Sequence, residues 1–273
     1  MFRDLLVHVD GTQAGRRRVK LALDLAKRTE SQLSGLHVTP PPEVPPRYKP
    51  SRVAGVEADI SRYLAIDAQS AERLFSEETS HQTNISWHQA NGDMVEGICE
   101  RARYADLVLL GQYEWQGTAE THPLPVAHRV VLRSGRPVLV VPEEARPSDF
   151  ARVAVAWDAS REAVRAVHDA LPLLRLARSV ETVAMVDSTG KDDELDLRRL
   201  AAHLKNHGVP IEPRTQKMSS ANEHAALREQ LAHGHYDLIV MGGYSHSIWR
   251  EFIFGGATQS ILLSSRSPIL VSH

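Results

Sequence analysis

The chain states nearly the same pattern twice, and that duplication constrains its fold more than anything else in the sequence. Asp4–Asp10 (DLLVHVD) and Arg152–Asp158 (RVAVAWD) are short apolar runs that each close on an aspartate. A turn and an amphipathic run follow, Gly11–Arg28 in the first copy and Ala159–Ala177 in the second, with Ser160 placed as an N-cap and Glu162 in the first turn. Second strands are expected at Leu33–Thr39 and Val180–Asp187, and third strands at Ile85–Gln89 and Ile211–Thr215. The next helices open on capping-box pairs, Asp93 with Glu96 and Ser220 with Glu223. The closest likeness comes at the fourth strand, ADLVLLG at 105–111 against YDLIVMG at 236–242. Each copy then ends in a helix and a strand after proline, Pro137–Val141 and Pro268–Val271.

Strands alternating with helices imply parallel pairing, because parallel neighbours need a crossover long enough to hold a helix. Crossovers are right-handed, so each copy is expected to be a doubly wound, Rossmann-like α/β unit with a five-stranded parallel sheet. The expected domains are 1–145 and 146–273, joined through the polar, proline-bearing stretch Pro142–Asp149. Asp10 and Asp158 lie 148 positions apart, but Asp106 and Asp237 only 131, so the first copy carries 17 additional residues. They fall in the proline-rich loop Pro40–Pro50, read as a stiff spacer, and in a longer second helix at about Val53–Thr79.

Composition narrows the partners. Net charge is −2, and the one basic run, Arg16-Arg17-Arg18 with Lys20, reads as a solvated helix face, so neither nucleic acid nor an anionic membrane is expected. Aromatic residues are 5% of the chain, too few for a base-stacking platform. The lone cysteine, Cys99, excludes an internal disulfide, fits a reducing cytoplasm and reads as a small buried thiol. No apolar run approaches the roughly 20 residues of a membrane span. The N-terminus opens directly on a strand rather than a secretory signal.

In an open α/β sheet, ligands bind beyond the carboxyl ends of the strands where strand order reverses. In the second copy this brings forward Ala156-Trp157-Asp158, Met185-Val186-Asp187 and Met241-Gly242-Gly243. The stretch Met241–Ala257 (MGGYSHSIWREFIFGGA) breaks a strand on glycines and restarts as a helix. Glycines let backbone approach a ligand, and a helix start presents unpaired N–H groups to phosphate.

The spacing of Gly242, two residues, Ser245, nine residues, Gly255-Gly256 resembles the nucleotide loop of the universal stress protein family. Two copies of that fold in tandem, an adenine nucleotide alpha hydrolase-like architecture, would account for the whole chain. The resemblance implies ATP, with Mg, in the second copy. Asp158 would hold the adenosine beside Ala156 and Trp157, and Val186 would contact the adenine. Gly242, Ser245, Gly255, Gly256 and Ala257 would supply the ribose and phosphate cradle, with Met241 beside them at the end of the strand. Ser245 stands in place of the second glycine and Gly256 in place of a Ser or Thr, so weaker binding than in a full motif is expected. The first copy keeps Gly111 but has Glu114 where the second glycine belongs, and Leu124-Pro125-Val126 opposite Gly255-Gly256-Ala257. A carboxylate repels triphosphate and proline removes a backbone donor, so no ATP is expected there, while Asp10 leaves adenosine without phosphates as an open alternative.

Catalytic and metal constellations are thin. No G-x-S-x-G elbow is present, and the acidic cluster Asp192-Asp193-Glu194 with Asp196 suits the positive start of a helix. His203 and His207 are four apart on an expected helix, but no H-E-x-x-H motif or cysteine set accompanies them, so no metal site is expected. His233-Gly234-His235 suits a helix end, and Trp157 is expected to fill core. Two functional readings stand. One is a non-enzymatic, cytoplasmic regulator that binds an adenine nucleotide and associates with itself, through an internal pseudo-dimer and a homodimer, or with partner proteins. The other is a structural or interaction module of the same fold that holds no nucleotide or another small ligand.

Overall fold

The computed structural model describes residues 1–44, 50–112, 125–144, 149–185, 191–218, 231, 236–243, 262 and 265–273. The chain divides into two compact units, Phe2–Ser134 and Gly135–His273, with Met1 grouped with the latter.

The first unit runs β1 (Asp4–His8), α1 (Gln13–Thr29), β2 (Gln32–Thr39), α2 (Pro50–Thr79), β3 (Ile85–Asn91), α3 (Met94–Ala102), β4 (Leu107–Gly111) and α4 (Val126–Ser134). Its strands lie in the order β3-β2-β1-β4, all parallel. Leu5, Leu6, Val7 and every residue of β4 are buried, which is why these strands read as unbroken apolar runs rather than alternating ones. Helix α1 starts on Thr12, whose hydroxyl accepts from the Gly15 N–H, and buries Val19, Ala22, Leu25 and Ala26 on one face. Asp93 caps α3 as its capping box predicts, accepting from the Glu96 N–H at 2.9 Å.

The second unit contains β5 (Val138–Val141), β6 (Arg152–Trp157), α5 (Arg161–Leu174), β7 (Ser179–Met185), α6 (Lys191–Asn206), β8 (Ile211–Met218), β9 (Leu238–Gly242) and β10 (Ile269–Ser272). Strand order is β8-β7-β6-β9-β10-β5. All neighbours are parallel except β5, which runs antiparallel to β10 with Leu139 opposite Leu270. The last strand of the first sequence repeat therefore packs with the second unit. At the β7–β8 ladder the register shifts between Glu181 and Thr182, which pair with Glu212 and Thr215. Pro213 falls in that irregularity on an edge strand, where a missing N–H costs least.

The duplicated ADLVLLG and YDLIVMG segments owe part of their likeness to one shared contact. The Asp106 carboxylate accepts from the backbone N–H groups of Arg3 and Asp4, and Asp237 accepts from Arg152 N–H at 2.9 Å. Each aspartate thus fixes the entry of its repeat's first strand against the repeat's fourth. The α/β class and doubly wound strand order are those expected from the sequence. The second capping box, Ser220 with Glu223, and the segment His233-Gly234-His235 lie outside the described residues.

Two local expectations are corrected. The Arg16–Arg18 run is not a solvated face: Arg18 is 2% exposed and bonded to Asp10, while Arg16 pairs with Glu77 and Glu78 of α2. Cys99 is half-buried rather than buried, though burial still pushes its thiol up. Among the described residues no helix is long and apolar enough to cross a membrane.

Candidate functional site

Strand order reverses between β6 and β9 in the second unit, so the crevice opens beyond their carboxyl ends. Five of the expected site residues gather there. Ala156 lies in register with Met241, Trp157 ends β6 and Asp158 follows it, and Gly242 ends β9. Val186, Ser245, Gly255, Gly256 and Ala257 lie outside the described residues.

The start of α5 is built onto Asp158. Its Oδ1 accepts from the Ser160 N–H at 3.0 Å and the Ser160 hydroxyl at 2.5 Å, and Ser160 Oγ in turn caps the Ala163 N–H at 3.1 Å. The carboxylate is therefore held, half-buried, at the positive end of α5. Gly242 has a steric reason to be glycine. A Cβ there would stand 2.5 Å from the Ala163 nitrogen and 2.6 Å from the Glu162 carbonyl carbon, so only glycine lets the end of β9 meet the first turn of α5. Gly243 continues the ladder by donating to the Ser272 carbonyl at 2.8 Å, and its own carbonyl meets the His273 ring at 2.9 Å.

Trp157 does not sink into the core. It is half-buried, and its indole N–H donates to Asp196 Oδ2 at 2.7 Å, tying the end of β6 to α6. The acidic start of α6 thus has a use beyond the helix dipole.

The first unit repeats the motif with a different outcome. Asp10 Oδ1 accepts from the Thr12 N–H at 2.9 Å and from the Thr12 hydroxyl, and Thr12 caps Gly15. The pattern Asp-x-Ser/Thr is legible in both copies as a turn that starts a helix. The second carboxylate oxygen of Asp10, however, is met by buried Arg18 at 2.7 Å, whose Nε also donates to the His8 carbonyl at 2.8 Å. Burial raises the Asp10 pKa, but the Arg18 charge and the Thr12 hydrogen bonds outweigh it and hold the carboxyl at about 2. Eight residues beyond Asp158 the matching position is Ala166, fully buried and without charge. A Cβ on Gly11 would touch Ser70 Cβ at 2.8 Å and Asp67 Oδ1 at 3.1 Å. The long α2, where the first copy's extra residues fall, therefore lies directly over the turn beyond β1. This sealing of the first site was not read from sequence; the only trace is arginine against alanine eight residues after each aspartate.

The described residues hold one Ser–His contact, His88 Nε2 to Ser86 Oγ at 3.2 Å on β3. Arg101 bonds His88 Nδ1, so the neutral ring carries its hydrogen on Nε2 and donates to serine. It is not arranged as a general base.

The fold and crevice define a Rossmann-like α/β protein with its unit present twice. The sequence matches the universal stress protein family over residues 1–142, and the chain belongs to that family. A universal stress protein from Archaeoglobus fulgidus shares the fold across 98% of this chain and 95% of its own, with a TM-score of 0.67 at 17% identity. A functionally unknown protein from Pseudomonas aeruginosa does so across 99% and 92%, with a TM-score of 0.58 at 15% identity. No curated protein matches the chain.

Proposed function

We propose that the protein is a universal stress regulator that binds an adenine nucleotide, ATP with Mg, in its second unit. In this reading nucleotide occupancy controls association with itself or with partner proteins, and the protein acts in the cytoplasm without being an enzyme. The observation that carries the reading is the contrast behind the two strand-one aspartates. Buried Arg18 bonds the Asp10 carboxylate, whereas the position eight residues after Asp158, at the strand-order switch point, is the buried, uncharged Ala166. Asp158 is the residue that would bond the adenosine. The glycines of Met241–Ala257 would approach the phosphates, and the start of α5 adds a favourable dipole.

The rival reading, a module without nucleotide, also has an observation behind it. Asp158 and Gly242 each have a local structural use, in capping α5 and in letting β9 meet it. One experiment separates the two. Freshly purified protein is denatured and the released small molecules are resolved by ion exchange, with Mg-ATP thermal shifts run alongside. Bound adenine nucleotide, or a clear upward shift that Asp158→Asn removes, supports the proposal. Neither nucleotide nor shift in the intact chain supports the rival. Asparagine keeps the acceptor that holds Ser160, so loss of binding is not loss of the helix start.

A further inference from the structure

The outermost strands of the two units differ in how their edges are protected. In the second unit β8 carries Pro213 at a register shift, and its sequence includes Arg214 and Lys217. Proline, basic residues and local irregularity are the devices by which a sheet edge resists pairing with another chain. In the first unit β3 has none of them. Its sequence, ISWHQAN, contains no proline, lysine, arginine or carboxylate, and its seven residues run in unbroken register with β2. None of the seven is buried. We propose that β3 is the surface through which two copies of this chain associate, by antiparallel pairing of β3 with β3.

The β2–β3 ladder shows which backbone groups are spare. Leu33 N–H donates to the Asn84 carbonyl at one end and Gly92 N–H to the Thr39 carbonyl at the other, each at 3.0 Å. In a parallel pair such bonds recur at every second residue, so the even-numbered residues of β3 bond to β2. The N–H and C=O groups of Ile85, Trp87, Gln89 and Asn91 point the other way. Among the described residues β2 is the one strand that pairs with β3. A row of outward donors and acceptors on a regular, accessible strand is the template for one more strand.

The chain itself supplies that strand. Pairing β3 with the β8 of another copy would be head-to-tail, and β8 is interrupted by Pro213 and its register shift. Pairing β3 with β3 is isologous and closes at two chains. With His88 on the two-fold axis, Ile85 of one copy lies opposite Asn91 of the other and Trp87 opposite Gln89, so all the outward residues of both strands are used. Self-pairing opposes no like charges within the strands, because β3 has no Lys, Arg, Asp or Glu. Trp87 and Gln89 both lie toward α2, where the Trp87 ring is 5.2 Å from that of Phe75 and the Gln89 amide reaches Glu72 at 3.4 Å. Each indole edge thus gains the stem of a glutamine from the other copy. The inference names the surface of the self-association in the function proposed above and rests on that part of it, not on nucleotide binding.

The test is the mass of the full chain in solution, by light scattering and sedimentation equilibrium, with and without Mg-ATP. The mass of two chains is expected, falling to one on dilution. Gln89→Pro removes an outward N–H and leaves the β2 ladder intact, since proline is accepted on an edge strand where its nitrogen faces outward. It is expected to give a monomer of unchanged helical content, whereas Gln89→Ala remains a dimer. In a Cys99→Ser chain, His88→Cys is expected to cross-link two copies on mild oxidation, because antiparallel partners without mutual hydrogen bonds bring their Cα atoms to about 4.5 Å. A dimer that survives Gln89→Pro, or that fails to cross-link at position 88, overturns this surface while self-association stands. If Gln89→Pro does not fold, the cross-link alone decides. A wild-type chain that is monomeric at every concentration in both conditions overturns the surface and self-association together, and nucleotide release and thermal shift still report on the second unit separately.

Discussion

At the scale of single residues, half-buried Asp10 and buried His128 of the first unit shape its response to acid. The Asp10 pKa falls from 3.8 to about 2 because Arg18 and Thr12 outweigh the cost of burial. A carboxylate depressed in this way contributes stability that is complete above about pH 4 and lost as pH falls toward 2, on the order of 2 kcal/mol. His128 of α4 is pushed down to about 4 by burial. It stays neutral in the fold while the unfolded chain takes up a proton below its ordinary 6.5. Stability is therefore lost as pH falls from 6.5 to 4, by about 3 kcal/mol. Urea midpoints across pH 7 to 3 are expected to show this slope, and His128→Gln to flatten the part between 6.5 and 4. Asp10→Asn has the opposite character. It leaves the Arg18 guanidinium buried without its carboxylate and is expected to cost about 3–5 kcal/mol at neutral pH, read as a lowered urea midpoint.

At the scale of elements, the weight falls on the junction of β6, α5 and β9. Ser160→Ala removes the cap of α5 and the hydroxyl that holds Asp158, and is expected to cost about 1 kcal/mol by thermal or urea unfolding. Gly242→Ala drives a methyl into the backbone of Glu162 and Ala163 and is expected to cost about 1–3 kcal/mol. Asp196→Ala strands the Trp157 indole N–H and frees α6 from β6, which a red-shifted tryptophan emission would report. These elements also show what the sequence can and cannot disclose. The strand runs, the Asp93 and Ser160 caps and the repeated aspartates are local signals, and each was legible. Arg18 was misread because a charge run looks alike whether its members face water or one of them turns inward to a carboxylate eight residues back. The use of Asp196 by Trp157, and the arrival of His168 beside His203, depend on which helix packs beside which. No spacing along one helix records that. The antiparallel seating of β5 on β10 is likewise a partner choice between equally apolar strands.

At the scale of the whole molecule, duplication has left two copies of one fold that differ in what surrounds the aspartate after their first repeat strand. In both, an aspartate follows the first strand of its repeat and starts the helix that comes next. In the first, Arg18 occupies the carboxylate and a 30-residue helix lies over the turn beyond. The nucleotide proposal therefore predicts one site per chain, measurable as the stoichiometry of Mg-ATP in a calorimetric titration. Asp10→Asn is expected to leave that stoichiometry at one wherever the variant remains folded. The decisive change transfers the first unit's device to the second. In Ala166→Arg, a guanidinium placed eight residues after Asp158 is expected to reach its carboxylate as Arg18 reaches Asp10, and to abolish nucleotide binding while the chain keeps its helical content. Ala166→Met adds comparable bulk at the same buried position without the charge. If methionine and arginine reduce binding equally, crowding of α5 against β9 explains the loss and the ion pair is irrelevant. If only arginine does, the aspartate is the group the nucleotide requires, and the first unit lost its ligand by filling that place with its own side chain.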